Sequence, residues 1–127
     1  MLHFVYEPTG HPLRRRTNVV VSSTLEPSEG ILVARSLSEA LNLVRPDETE
    51  GFVIGGQRLF AEAIHRADRM CLTFVDSFFP QADTFFPEYD RTEWALMTSD
   101  PHPATEGSGQ SHGYIMRVFN RLRRKEL

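Results

Sequence analysis

The strongest chemical signal in the chain is the segment Ile54-Gly55-Gly56-Gln57-Arg58. Paired glycines between an apolar run and a helical pattern let the backbone come very close to a ligand. They also aim the first N–H groups and the positive dipole end of the following helix at an anion. Arg58, in the first turn of that helix, adds a guanidinium able to grip a phosphate through paired hydrogen bonds. Gly-Gly alone is a weak signal, and a tight strand-to-helix turn that binds nothing is an equally good reading of it.

The other chemistry-bearing residues point to less. His3, His11, His65, His102 and His112 show no His-x-x-x-His spacing, and there is one cysteine. That set does not make a metal site, and scattered surface histidines are the better reading. His102 and His112 share a polar stretch and could respond to pH as a pair. The basic tail, Arg117, Arg121, Arg123, Arg124 and Lys125, lacks the broad basic face with interleaved aromatics that nucleic acid needs, so a solvated terminus is expected. Phe78-Phe79-Pro80 and Phe85-Phe86 either close a core over the end of a sheet or stand exposed and adhesive.

Elements that alternate in type must position these residues. Strands are expected at 17–23, 31–34, 51–56 and 70–75, each rich in β-branched or apolar residues. Ser36 reads as a helix N-cap, with Glu39 completing a capping box. The helix 37–44 then places Leu37, Ala40, Leu41 and Val44 on one face, and Pro46 ends it. A second helix, 57–67, presents Leu59, Phe60, Ala63 and Ile64. Two later strands, 94–97 and 113–119, flank a loop from Asp100 to His112. Strand-helix-strand units imply parallel pairing early, and the terminal hairpin implies an antiparallel edge. The fold class is α/β with a mixed sheet flanked by helices, in a single domain over 1–127.

The 127 residues carry a net charge of -3, with 40% hydrophobic and 24% charged residues. Those proportions suit one soluble domain and give no field that favours nucleic acid. The lone Cys71 lies in an apolar run, so a reducing, cytoplasmic setting is expected. No apolar stretch reaches the roughly 20 residues that cross a bilayer, so no membrane partner is expected.

Several motifs fall in register with one family. Phe52-Val53-Ile54-Gly55-Gly56 with Leu59-Phe60, then Ala67-Asp68-Arg69-Met70-Cys71-Leu72-Thr73, then Asp83-Thr84-Phe85-Phe86-Pro87, resemble the second half of a dihydrofolate reductase. So does Gly10-His11-Pro12-Leu13 with Arg16-Thr17-Asn18-Val19-Val20-Val21-Ser22 before them. The resemblance runs from about Tyr6 to Phe119. It implies an oxidoreductase that passes hydride from NADPH to the pterin of dihydrofolate, giving tetrahydrofolate.

Position by position, the resemblance assigns Gly55 and Gly56 to a cis-linked pair against the cofactor. Gln57, Arg58 and Leu59 fall at the pyrophosphate-binding helix start, and Phe60 stands where the family usually has Tyr. Ser22 and Ser23 fall where hydroxyls bind the adenosine 2′-phosphate, and Arg35 at a basic position near the adenine. Ile54 would line the pocket where pterin and nicotinamide meet. Leu13, Arg16 and Thr73 fall on the substrate side, with Arg16 at the arginine that grips the folate tail carboxylate. The family's Pro-Gly is Arg14-Arg15 here, and a solvated basic loop is the competing reading of Arg16.

The resemblance begins inside the family pattern. The first strand, the mobile active-site loop and the first helix with its acidic residue have no counterpart here. Leu2 to Val5 replaces a phosphate-binding motif. No catalytic acid is assigned: Asp76, Asp83 and Glu7 lack the buried, apolar setting that tunes a carboxyl for proton work. The family places its first strand between the strand ending at Ile54 and the one containing Thr73. Without it, those two strands pair directly, another chain fills the gap by association at the unpaired edges, or the chain is marginally folded. Two further readings stay open: a non-catalytic nucleotide-binding or oligomer-forming remnant, and a related reductase acting on a riboflavin-pathway pyrimidine.

Overall fold

The computed structural model describes residues 3–6, 17–43, 50–105, 107 and 111–122. Two compact units make up the chain, Met1–His65 and Arg66–Leu127.

The first unit is built on a parallel sheet. Its strands are β1 (His3–Tyr6), β2 (Thr17–Val21), β3 (Leu32–Ala34) and β4 (Gly51–Val53), in the order β3-β2-β1-β4. Every pairing is parallel: Val5 faces Val19 on one side and Val53 on the other, and Val21 faces Ala34. Strand β1 was not foreseen. The segment that stands in place of a phosphate-binding motif is the strand that joins β2 to β4. Helix α1 (Leu37–Leu43) follows β3, and helix α2 (Gln57–Ala63) follows β4.

Burial explains why these sequences settle this way. Val19, Ala34, Leu37, Ala40, Leu59 and Ala63 form one buried cluster, with Val21, Leu41 and Val53 packed against it. The helical spacing of Leu37, Ala40 and Leu41, and of Leu59 and Ala63, puts each set on the face that meets the sheet. Burying a side chain the size of Leu59 contributes roughly 1.5–3 kcal/mol. Ser36 caps α1 as the spacing predicts: its Oγ accepts the Glu39 N–H at 3.1 Å. The Glu39 carboxylate reaches back one residue further than a standard capping box, to the Arg35 N–H at 3.0 Å.

The second unit is an antiparallel sheet of β5 (Arg69–Val75), β6 (Trp94–His102) and β7 (Tyr114–Arg121), with β7 in the middle. Strand β6 runs five residues beyond the predicted 94–97, so Asp100, Pro101 and His102 belong to it rather than to the loop. Among the described residues no strand pairs with the outer edge of β6, which suits Pro101, with no N–H to give a ladder. The register shifts between Leu96 and Thr98, leaving Met97 as the bulged residue.

Arg121 ties this unit together. Its Nε donates to the Ala67 carbonyl at 2.8 Å, its Nη1 lies 3.4 Å from Glu93 Oε2, and its guanidinium covers the Trp94 ring at 4.3 Å. Arg117 faces away from Val118, as alternation requires, and lies over the Phe74 ring at 4.9 Å.

β4 is the end strand of the parallel sheet and β5 the end strand of the antiparallel one. Among the described residues, each keeps one edge without a partner strand.

Candidate functional site

In the first unit, each segment that follows β2, β3 and β4 carries residues singled out from the sequence. Ser22 and Ser23 follow β2, Arg35 and Ser36 follow β3, and Ile54 to Arg58 follow β4. All lie beyond the carboxyl ends of parallel strands, where open α/β sheets hold their ligands. A cavity of about 360 Å³ forms there, lined by Ser22, Ser23, Arg35, Ser36, Arg58 and Glu62 together with Val21 and Leu59.

The turn after β2 is organised by Arg35. One guanidinium nitrogen, Nη1, donates to the carbonyls of both Ser22 and Leu25 at 2.9 Å. Ser22 Oγ accepts the Leu25 N–H at 3.0 Å and the Thr24 N–H at 3.3 Å. As an acceptor twice over, that hydroxyl keeps its own proton to donate to a ligand. Arg35 therefore acts first as a clamp on the serine turn. The bond from Glu39 to its backbone N–H anchors the clamp to α1.

The turn after β4 has the geometry the resemblance implied. Gly55 and Gly56 are joined by a cis peptide, and Gly55 has φ 136°. A Cβ on Gly55 would meet nothing nearer than the Phe60 ring at 4.0 Å. Glycine is required there by the backbone conformation rather than by crowding. The Gly56 carbonyl accepts the Phe60 N–H at 2.9 Å, which starts α2. Strand β4 stops at Val53, so Ile54 is a turn residue, 45% exposed and presenting apolar surface at the strand end. Arg58 is 87% exposed, with Nε 3.8 Å from Glu62 Oε1 one turn along the helix.

The sequence-predicted residues thus divide. Ser22, Ser23, Arg35, Arg58 and Leu59 line one cavity. Ile54, Gly55, Gly56, Gln57 and Phe60 belong to the adjoining turn and helix. Thr73 lies mid-strand in β5 of the second unit, opposite Met116. Leu13 and Arg16 lie outside the described residues. Glu62 and Ser36 were missed as cavity residues. The four-residue step from Arg58 to Glu62 is the signal that could have found the first.

The second unit has a larger cavity of about 540 Å³, between the end of β5 and the β6–β7 hairpin. Phe74, Asp76, His102 and Tyr114 are among its lining residues, which include no lysine or arginine. A phosphate would meet the Asp76 carboxylate there without an arginine to offset it, so this cavity does not suit an anionic cofactor despite its size. His102 and His112 do not act as a pair: His102 Nε2 lies 2.9 Å from Asp100 Oδ2 and its ring stacks on Tyr114, while His112 meets Phe79. No group of three or more potential metal ligands occurs among the described residues. No described helix is long and apolar enough to cross a membrane.

A family-wide sequence model described as dihydrofolate reductase matches residues 2–121. The chain belongs to the dihydrofolate reductase family. It is 43% identical over 111 residues to the dihydrofolate reductase type 3 of Salmonella typhimurium, covering 87% of this chain and 67% of that one. Against the dihydrofolate reductase of Haemophilus influenzae, identity is 37% over 101 residues, covering 80% and 62%. The chain therefore spans about two thirds of the length of these relatives. Among solved structures, it is similar to a dihydrofolate reductase from Enterococcus faecalis complexed with NADP(H) and RAB-propyl. The TM-score is 0.84 at 26% identity, over 96% of this chain and 75% of that one. The dihydrofolate reductase family uses NADPH, and its α/β fold is the one expected from the sequence.

Proposed function

We propose that this chain supplies the cofactor-binding part of an NADPH-dependent reduction of dihydrofolate to tetrahydrofolate. The observation that carries the reading is the cavity shared by Ser22, Ser23, Arg35 and Arg58 at the carboxyl ends of β2, β3 and β4. Serine hydroxyls and the Arg35-clamped turn suit the phosphate on the adenosine ribose. Arg58 suits a second phosphate at the start of α2. The Ile54-Gly55-Gly56 turn offers an apolar, closely approachable surface to the nicotinamide. The cofactor supplies the hydride, and these residues hold and orient it.

Proton delivery has a different origin. Asn18 is the one buried polar residue among those described, so no described carboxyl has the desolvated setting of a general acid. Residues beyond those described, or a complementing segment, would provide it. Thr73, Ile54, Leu13 and Arg16 are the proposed contacts to dihydrofolate or a related pterin. A cytoplasmic setting suits the exposed, unpaired Cys71.

The edge of β5 that no strand pairs among the described residues, with the exposed Phe78, Phe79 and Phe85, favours self-association as a second property. NADPH oxidation followed spectrophotometrically with dihydrofolate tests the main reading. The 127-residue chain is expected to bind NADPH while turning over far below an ordinary enzyme's 1–10³ per second. Failure of the chain to bind NADPH would contradict the main reading, and turnover at ordinary rates would place proton delivery within these 127 residues.

A further inference from the structure

We infer that Glu62 sets cofactor preference in this cavity by opposing the ribose phosphate that distinguishes NADPH from NADH. The inference rests on the cofactor reading above and adds a residue that reading does not use.

The cavity's lining is otherwise suited to a dianion. Ser22, Ser23 and Ser36 bring hydroxyls, and Arg35 and Arg58 bring guanidiniums. Glu62 is the one acid among the lining residues. Its Oε1 lies 3.8 Å from Arg58 Nε, and the two side chains are 50% and 87% exposed. An ion pair this open to water contributes little, so Arg58 can leave it for an arriving phosphate. Once Arg58 turns to the ligand, the Glu62 carboxylate stands without its counter-ion in a cavity that now holds a phosphomonoester. Like charges within one cavity of about 360 Å³ disfavour each other even in a high dielectric. NADH has a neutral hydroxyl at the same position and gives Glu62 nothing to repel. The pyrophosphate is common to both cofactors and cannot produce a difference between them.

Glu62→Gln keeps the length of the side chain and removes its charge, and the position is exposed enough for the fold to tolerate it. Equilibrium titrations of the full chain with NADPH and with NADH, for wild type and variant, test the inference. The expected result is NADPH binding tightened about threefold to tenfold and NADH changed by less than about twofold, with the gain shrinking at about 1 M salt. Glu62→Lys should move the preference further in the same direction, and it provides a second reading should the glutamine variant fold poorly. NADPH binding left unchanged by both variants overturns the inference alone. Equal tightening for both cofactors would place Glu62 against the shared pyrophosphate and also overturns it. Failure of wild type and variants alike to bind NADPH overturns the cofactor reading together with the inference.

Discussion

The two units of this chain solve the same problem of burying a sheet in opposite ways. In the first, parallel strands are followed by helices, and Leu37, Ala40, Leu59 and Ala63 return from α1 and α2 onto the sheet. In the second, an antiparallel sheet leaves much of its apolar surface in water: Phe78 is 85% exposed, and Val75, Phe85, Leu96 and Met116 are exposed as well. The helix-covered unit holds the basic cavity. The antiparallel unit's larger cavity is mostly apolar, with Asp76 among its lining residues.

Perturbing the first unit should cost far more than perturbing the second. Leu59→Ala removes the side chain that joins α2 to the buried cluster, and a loss of roughly 2–5 kcal/mol is expected in urea unfolding. NADPH binding should be lost with it. Phe78→Ser, at an equally apolar residue of the second unit, should leave stability within about 0.5 kcal/mol and lower self-association, read by light scattering over a concentration series. A large stability loss from Phe78→Ser would break the contrast between the units.

Next in size is Gly55→Ala. There is room for the methyl group, so the cost comes from holding φ near 136° with a Cβ present, about 1–3 kcal/mol in thermal unfolding. Arg35→Ala follows. It releases the Ser22 and Leu25 carbonyls from their shared donor, and a roughly tenfold loss of NADPH affinity is expected by titration, with the fold retained. An unchanged affinity would mean the serine turn holds its shape without the clamp.

The smallest effect belongs to the second unit. Asp90 accepts from the Thr92 hydroxyl at 2.6 Å and the Thr92 N–H at 2.9 Å. Those hydrogen bonds hold its carboxyl below the usual range, the side-chain bond contributing more. A carboxyl whose folded pKa is depressed adds stability above its unfolded pKa and loses it as pH falls through the folded one. Asp90→Asn should therefore flatten the acid limb of a stability–pH curve slightly below pH 4 and leave neutral pH almost unchanged. A steeper acid limb in the variant would contradict this.

Much of the first unit was legible because its signals are local. The capping pattern of Ser36 and Glu39, the helical spacing of Leu59 and Ala63, and the glycine pair each specify structure within a few residues. Ser22, Ser23, Arg35 and Arg58 needed family resemblance as well, since no local rule brings the ends of three strands together. Strand β1 was missed because four residues, His3 to Tyr6, carry too little periodicity to announce a strand; its place between β2 and β4 is decided by long-range pairing. The length of β6 was hidden by Pro101, a strand breaker everywhere except at an edge. Glu62 was not singled out from the sequence, because it lies off the apolar face of its helix. The segments following β2 and β3 are what turn its own side of the helix into a cavity wall.

Hydrogen–deuterium exchange of the full chain with and without NADPH tests the assignment of the cofactor to the first unit most directly. Slowed exchange is predicted in Ser22 to Leu25, Arg35 to Ser36 and Ile54 to Glu62, with β6 and β7 unchanged. Protection centred on His102 and Tyr114, or none at the ends of β2, β3 and β4 at saturating NADPH, would contradict it.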